Sequence, residues 1–265
     1  MPSERFGALL MTALILAFAL AIAGPALAEP SGREIMNRVD KDHRAADEKA
    51  QVIVVIYAAS GNRRQRDLEM FFKSGEGEDD KSLFRFTSPG NVAGTAVLTI
   101  EQTGRDDDQW AYLPALRKAK RIASSGRTGS FAGTDFAYED LRTEQLDRHD
   151  YRLLRTETYR DEPCYVVEAT PKDDAKRDES GYSKRLVWVT TATFLVYKVE
   201  FHDRGGHHLK TLLNGDYQKV DGRWRMHQSE MKNVRDGTKT LMKFTSREIE
   251  SGLPDRLFTK AELER

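Results

Sequence analysis

The sequence predicts a mainly β protein, an antiparallel sandwich or barrel, on three observations. From residue 51 onward apolar and polar residues alternate with a period of two, which gives each strand one face for a core and one for water. Turn signals such as Gly61-Asn62, Asp221-Gly222 and Asp236-Gly237 separate the alternating runs, and Asp-Gly is the strongest short hairpin cue. The runs approach a dozen, and closing or nearly closing a sheet removes the bare edges that so many one-faced strands would otherwise leave.

The elements follow in order. Residues 6–23 are almost wholly apolar and run into Gly24-Pro25 and Ala26-Leu27-Ala28, the pattern of a secretory signal peptide with the mature chain starting at Glu29. About twenty apolar residues also suffice to span a bilayer, so an uncleaved anchor is the competing reading. No cysteine stands near Glu29, so the chain lacks the thiol that carries the acyl anchor of a bacterial lipoprotein. The lone Cys164 lies in an apolar run with Tyr165, Val166 and Val167 and reads as a small buried hydrophobe.

Residues 29–265 contain no Pro/Ser-rich linker and read as a single domain. Ser31 precedes Ile35, Met36 and Val39 at helical spacing, as a capped amphipathic helix would. Strands are expected at 51–58, 66–73, 81–87, 92–101 and 109–113, then at 151–159, 164–170, 184–190, 194–202, 208–217, 224–233 and 238–249. A short helix at 258–263 closes the chain. The 42 basic and 42 acidic residues balance, which removes any general attraction to nucleic acid.

Long collinear segments resemble a known family. They are the run from Trp110 to Leu141, Lys81-Ser-Leu-Phe-Arg-Phe-Thr-Ser-Pro89 with Gly94-Thr95, Glu162-Pro-Cys-Tyr-Val-Val-Glu168, Tyr182-Ser-Lys-Arg-Leu-Val-Trp-Val189, Asp216-Tyr-Gln-Lys-Val-Asp-Gly222, Met231-Lys-Asn-Val234 and Gly252-Leu-Pro-Asp-Arg-Leu-Phe-Thr259. Together they resemble the LolA-like outer membrane lipoprotein-sorting proteins over nearly the whole mature chain. The resemblance implies an incompletely closed antiparallel β-barrel of roughly eleven strands, with short helices lidding an apolar cavity. It also implies a periplasmic, non-catalytic carrier that needs no cofactor. Its partners would be lipid or lipoprotein acyl chains, an inner-membrane transporter of the RND type and an outer-membrane acceptor. A docking module of a membrane transport complex is the alternative.

Candidate cavity residues are the apolar faces of the strands: Val52, Val54, Ile56, Phe84, Phe86, Leu98, Ile100, Trp110, Tyr112, Tyr197, Phe201, Met242 and Phe244. Ordinary core packing explains each of them equally well. In 124–140, Gly126, Gly129 and Gly133 alternate with Phe131, Phe136 and Tyr138, the make-up of a lid or of a fixed connection packed on the barrel. The basic residues Arg117, Lys118, Lys120, Arg121 and Arg127 fit a contact with anionic headgroups or an acidic partner, and equally a solvated face.

Other chemistry finds no pattern. His202, His207 and His208 flank a turn without a cysteine or a familiar zinc spacing. Gly126-Arg-Thr-Gly-Ser130 lacks the Lys-Ser/Thr pair of a phosphate loop, and no Gly-x-Ser-x-Gly elbow occurs. Asp106, Asp107 and Asp108 cluster where turn stabilisation is the plainer role.

Overall fold

A capping box starts the first helix. In the computed structural model, which describes residues 29–75, 79–102 and 105–264, the Ser31 hydroxyl accepts from the Glu34 amide while the Glu34 carboxylate accepts from the Ser31 amide at 2.7 Å. Two orphan donors are thereby satisfied, and α1 runs over Gly32–His43 with Ile35 and Met36 buried. The expected signal peptide at 1–28 lies outside the described residues. Among the described residues no helix is long and apolar enough to cross a membrane.

Thirteen strands follow. They are β1 (Asp47–Tyr57), β2 (Arg63–Lys73), β3 (Lys81–Ser88), β4 (Ala96–Ile100), β5 (Asp108–Leu113), β6 (Lys118–Arg121), β7 (His149–Tyr159), β8 (Glu162–Pro171), β9 (Tyr182–Thr190), β10 (Val196–Asp203), β11 (His208–Val220), β12 (Arg223–Asn233) and β13 (Thr238–Ile249). Helix α2 (Asp174–Ser180) interrupts β8 and β9, and α3 (Lys260–Leu263) ends the chain. Thirteen strands stand where roughly eleven were expected. The four residues of β6 had the look of a solvated basic run, and α2 is too short to show a helical period.

All thirteen strands form one antiparallel sheet in the order β6-β5-β4-β3-β2-β1-β13-β12-β11-β10-β9-β8-β7. Local hairpins make every pairing but one. The exception zips β1 onto β13, joining the start of the sheet to its end. The turn at Asp221 and Gly222 has both residues in the left-handed region, with φ of 46° and 80°, the conformation that matches the twist of a two-residue hairpin. The barrel stays open because β6 and β7, consecutive in sequence, are the two edges and do not pair. The chain between them, residues 122–148, crosses the interior instead.

That crossing segment contributes to the main core. Phe131, Phe136 and Leu141 are buried against Val52, Val54 and Ile56 of β1, Phe86 of β3, and Met242 and Phe244 of β13. On the outer face of β3–β6 a second cluster forms. Here Leu83, Leu98 and Ala119 are covered by Leu253, Phe258 and Leu263 of the C-terminal segment, with Ile100, Trp110 and Tyr112 packed alongside. Leu98, Ile100, Trp110 and Tyr112 therefore lie on the opposite side of the sheet from the interior, which corrects their expected place in the cavity. β4 is apolar on both faces, and alternation alone cannot say which face turns inward. A third cluster, Cys164, Val166 and Trp188, covers part of β8 and β9.

Candidate functional site: an apolar cavity beneath the first helix

Helix α1 sits close to the wall of the barrel because Gly32 presents no side chain. A Cβ there would lie 2.8 Å from backbone atoms of Arg152 and Leu153. Its other end is held by His43, whose Nε2 hydrogen-bonds the carbonyls of Thr193 and Phe194 at 3.2 and 3.1 Å. Between α1, the crossing segment and the sheet lies a cavity of about 440 Å3. Val39, Met70, Phe84, Leu141, Met226 and Phe244 supply its apolar wall, and Glu48, Arg225 and Arg247 stand on one side.

A second void of about 250 Å3 lies deeper, against Met36, Phe136, Val187, Phe201 and Met231. Both voids touch Val39, Asp140, Arg142, Thr143 and Val196, so they adjoin. Together they reach the size range of ordinary small-molecule sites.

The wall is incomplete between β10 and β11. Their ladder pairs Lys198 through His202 with Leu213 through His208. Beyond Lys198, side chains replace backbone: Asn214 Nδ2 and Tyr217 Oη donate to the Val196 carbonyl at 3.0 and 2.6 Å. Tyr197 and Tyr217 stack there, ring centroids 5.6 Å apart. Leu195, Tyr217 and Trp224 border both the cavity and an outer cleft of about 400 Å3.

Of the expected cavity residues, the structure brings only Phe84 and Phe244 to the wall of the larger void and Phe136 and Phe201 to the deeper one. Val52, Val54, Ile56, Phe86, Phe131 and Met242 are core, with Tyr138 packed at its margin. Tyr197 lies at the outer cleft, where its hydroxyl donates to Glu162 at 2.7 Å. Met70, Val39, Leu141 and Met226 line the larger void without having been expected, and their helical or strand periodicity was the only available signal.

The crossing segment is anchored by charge as well as by rings. Arg142 Nε donates to Asp107 at 2.8 Å, and its Nη1 pairs with Glu139 and with Glu179 at 2.5 and 2.8 Å. Lys176 Nζ meets Glu139 at 3.0 Å. Burial would raise Glu139, but Arg142 and Lys176 outweigh it and hold the carboxyl down at about 2. Arg127 is only 1% exposed and pairs with Glu179. This corrects its expected place in a surface patch: the pairing ties α2 to the segment. Arg117, Lys118, Lys120 and Arg121 are exposed on or beside the edge strand β6, where lysines also discourage edge-to-edge association.

Glu101 and His149 also depart far from their ordinary values. Glu101 is pushed up to about 7 by burial, with Asp80 and Asp107 adding to the effect. His149 is lowered to about 4, chiefly by burial. Its Nε2 accepts from Arg185 at 3.0 Å, so its proton sits on Nδ1, which donates to the Gln145 carbonyl at 3.1 Å. His202 and His208 face each other at 5.7 Å. Among the described residues no group of three or more His, Cys, Asp or Glu side chains is arranged to hold a metal.

A family model described only as an uncharacterized protein matches residues 78–265. An outer membrane lipoprotein-sorting protein domain from Vibrio parahaemolyticus is 34% identical, with 88% of this chain and 98% of that one covered and a TM-score of 0.83. A DUF1329 family protein from Desulfovibrio piger is 29% identical over 88% and 97% of the two chains, also with a TM-score of 0.83. A LolA superfamily protein from Nitrosomonas europaea shares the fold at 23% identity and a TM-score of 0.71, covering 88% and 99%. No curated protein matches the chain.

Proposed function

Because this chain belongs to the LolA-like outer membrane lipoprotein-sorting family, we propose that it is a periplasmic carrier for the acyl part of a lipid or lipoprotein. The observation that carries this reading is the apolar void beneath α1, with Met70, Phe84, Met226 and Phe244 on its wall. An acyl chain needs no more than such a surface. Each buried methylene contributes about 0.8 kcal/mol, so some fifteen give roughly 12 kcal/mol gross. Association costs of about 4–15 kcal/mol offset much of it.

In this reading the chain enters through the seam between β10 and β11, where Tyr217 and Trp224 border both the inside and the outside. Release into water would expose the acyl chain again, so delivery needs a receiving protein. An inner-membrane transporter of the RND type as donor and an outer-membrane acceptor complete the proposed route. No step of it asks the protein for catalysis or a cofactor.

Native mass spectrometry of the protein isolated from its own envelope tests the reading. Lipid should co-purify with the wild type and be lost from Met226→Trp, which fills the cavity. A folded wild type that carries no lipid, yet captures a membrane complex, would replace the carrier with a docking module.

A further inference from the structure

Three sets of buried charges in the interior balance. Arg127, Arg142 and Lys176 face Asp107, Glu139 and Glu179. Lys210 faces Asp140, and Arg185 faces Glu144. Arg66, also buried, meets the Ala132 carbonyl and the Phe86 ring. The set at the cavity does not balance. Glu48 alone is shared by Arg225, at 2.7 Å from its Nε, and by Arg247, and all three side chains are less than a tenth exposed. A buried cation in excess is costly unless something neutralises it.

The arrangement is built by the backbone. Register along β1 and β13 shifts between Gln51 and Val52, leaving Thr245 as an extra residue. The bulge turns Arg247 to the same face as Phe244 and opposite the inward-facing Ala50, the way bulges re-aim a side chain. Without it, Ser246 would point inward.

The donors are only partly used. Arg225 Nη1 reaches the Trp224 carbonyl at 2.9 Å, and Arg247 Nη2 the Met226 carbonyl at 2.8 Å. Arg247 Nε is buried without a hydrogen-bond partner. Its guanidinium lies 3.8 Å from the Phe244 ring centre, which offers a π face but no countercharge. The neighbouring cations are already engaged, Arg223 with Glu250 and Arg44 with Asp80. Arg225 and Arg247 both line the apolar cavity.

We propose that Arg225 and Arg247 form an anion seat in the cavity wall, and that the preferred cargo is an anionic amphiphile. Its carboxylate or phosphate head sits on the two guanidinium groups, which suit planar, multidentate recognition of such oxygens. Its chain runs over Met70, Phe84, Met226 and Phe244. The proposal rests on the cavity being an acyl-chain site, and the test separates the two claims.

Calorimetric titration of the purified protein at neutral pH with laurate, dodecyl phosphate, dodecanol and inorganic phosphate provides it. The wild type should bind the two anionic chains about tenfold to a hundredfold more tightly than dodecanol, the range for charge-assisted hydrogen bonds. Arg247→Gln leaves Glu48 paired one-to-one with Arg225, so it should fold. It should lose the preference for the anionic chains over dodecanol, while Arg247→Lys retains part of it. Equal affinity of the wild type for laurate and dodecanol, or an undiminished preference in Arg247→Gln, would overturn the anion seat while leaving an acyl-chain site intact. Inorganic phosphate binding as tightly as dodecyl phosphate would overturn the amphiphile in favour of a free anion. Absence of binding by any of the chains would overturn the carrier reading and the seat with it.

Discussion

Phe131 stacks on Phe86 with ring centroids 5.1 Å apart and planes inclined by 24°, and both rings are fully buried. The first belongs to the segment that crosses the open barrel and the second to β3, so the segment is part of the core it spans. Phe131→Ala is expected to cost about 3–5 kcal/mol, the range for a buried phenylalanine, measured by urea unfolding. A loss under about 1 kcal/mol, within the range of ordinary surface substitutions, would show the segment to be a detachable cover.

Gly32→Ala isolates the contact that seats α1. Alanine favours helix by about 1 kcal/mol over glycine, yet its Cβ would lie 2.8 Å from the backbone of Arg152 and Leu153. Overcrowding of that kind costs about 1–3 kcal/mol. A lowered Tm in calorimetry is expected, and an unchanged or raised one would mean that α1 can shift outward freely.

Replacing Arg142 by Leu removes the cation shared by Asp107, Glu139 and Glu179. Its side chain is 3% exposed, so the orphaned carboxylates gain little from solvent. Breaking such a buried set by removing one partner costs about 3–5 kcal/mol. The loss should persist in high salt, because buried pairs are weakly screened; a salt-sensitive loss in chemical unfolding would contradict the burial.

Glu101 sets a pH dependence. Its folded pKa of about 7 lies above the ordinary 4.5, so the folded state binds the proton more strongly than the unfolded state. The associated stability is fully present below pH 4.5 and is lost as pH rises through 7. Glu101→Gln should match the wild type in acid and exceed it at alkaline pH by up to about 3 kcal/mol. His149, held neutral with a pKa of about 4, acts in the opposite sense, losing stability as pH falls from 6.5. The comparison is therefore variant against wild type at each pH, by calorimetry. Equal Tm values at alkaline pH would refute the assignment.

Strands, hairpins and the first helix were legible in the sequence because their causes are local. Alternation along β10, Asp221-Gly222 in its turn and Ser31 at the start of α1 each act within a few residues. Family membership was legible too, carried by long collinear segments. The inward face of β4 was not, since both its faces are apolar and the C-terminal Leu253 and Phe258, far along the chain, cover one of them.

The chain by itself thus determined an antiparallel β protein with a helix at its head, because period and turn chemistry are short-range properties. Tertiary structure alone decided that β6 and β7 stay apart, that residues 122–148 fill the gap, and that Arg127 and Arg142 are buried rather than solvated. A charged residue in a loop reads as exposed until its partner is known, and Arg142 finds Asp107 and Glu179 35 and 37 positions away. A bulge at Thr245, set by the pairing of β13 with a strand almost two hundred residues earlier, turned Arg247 inward. Long-range pairing chose which side chains meet in the cavity, and no local pattern encodes that choice.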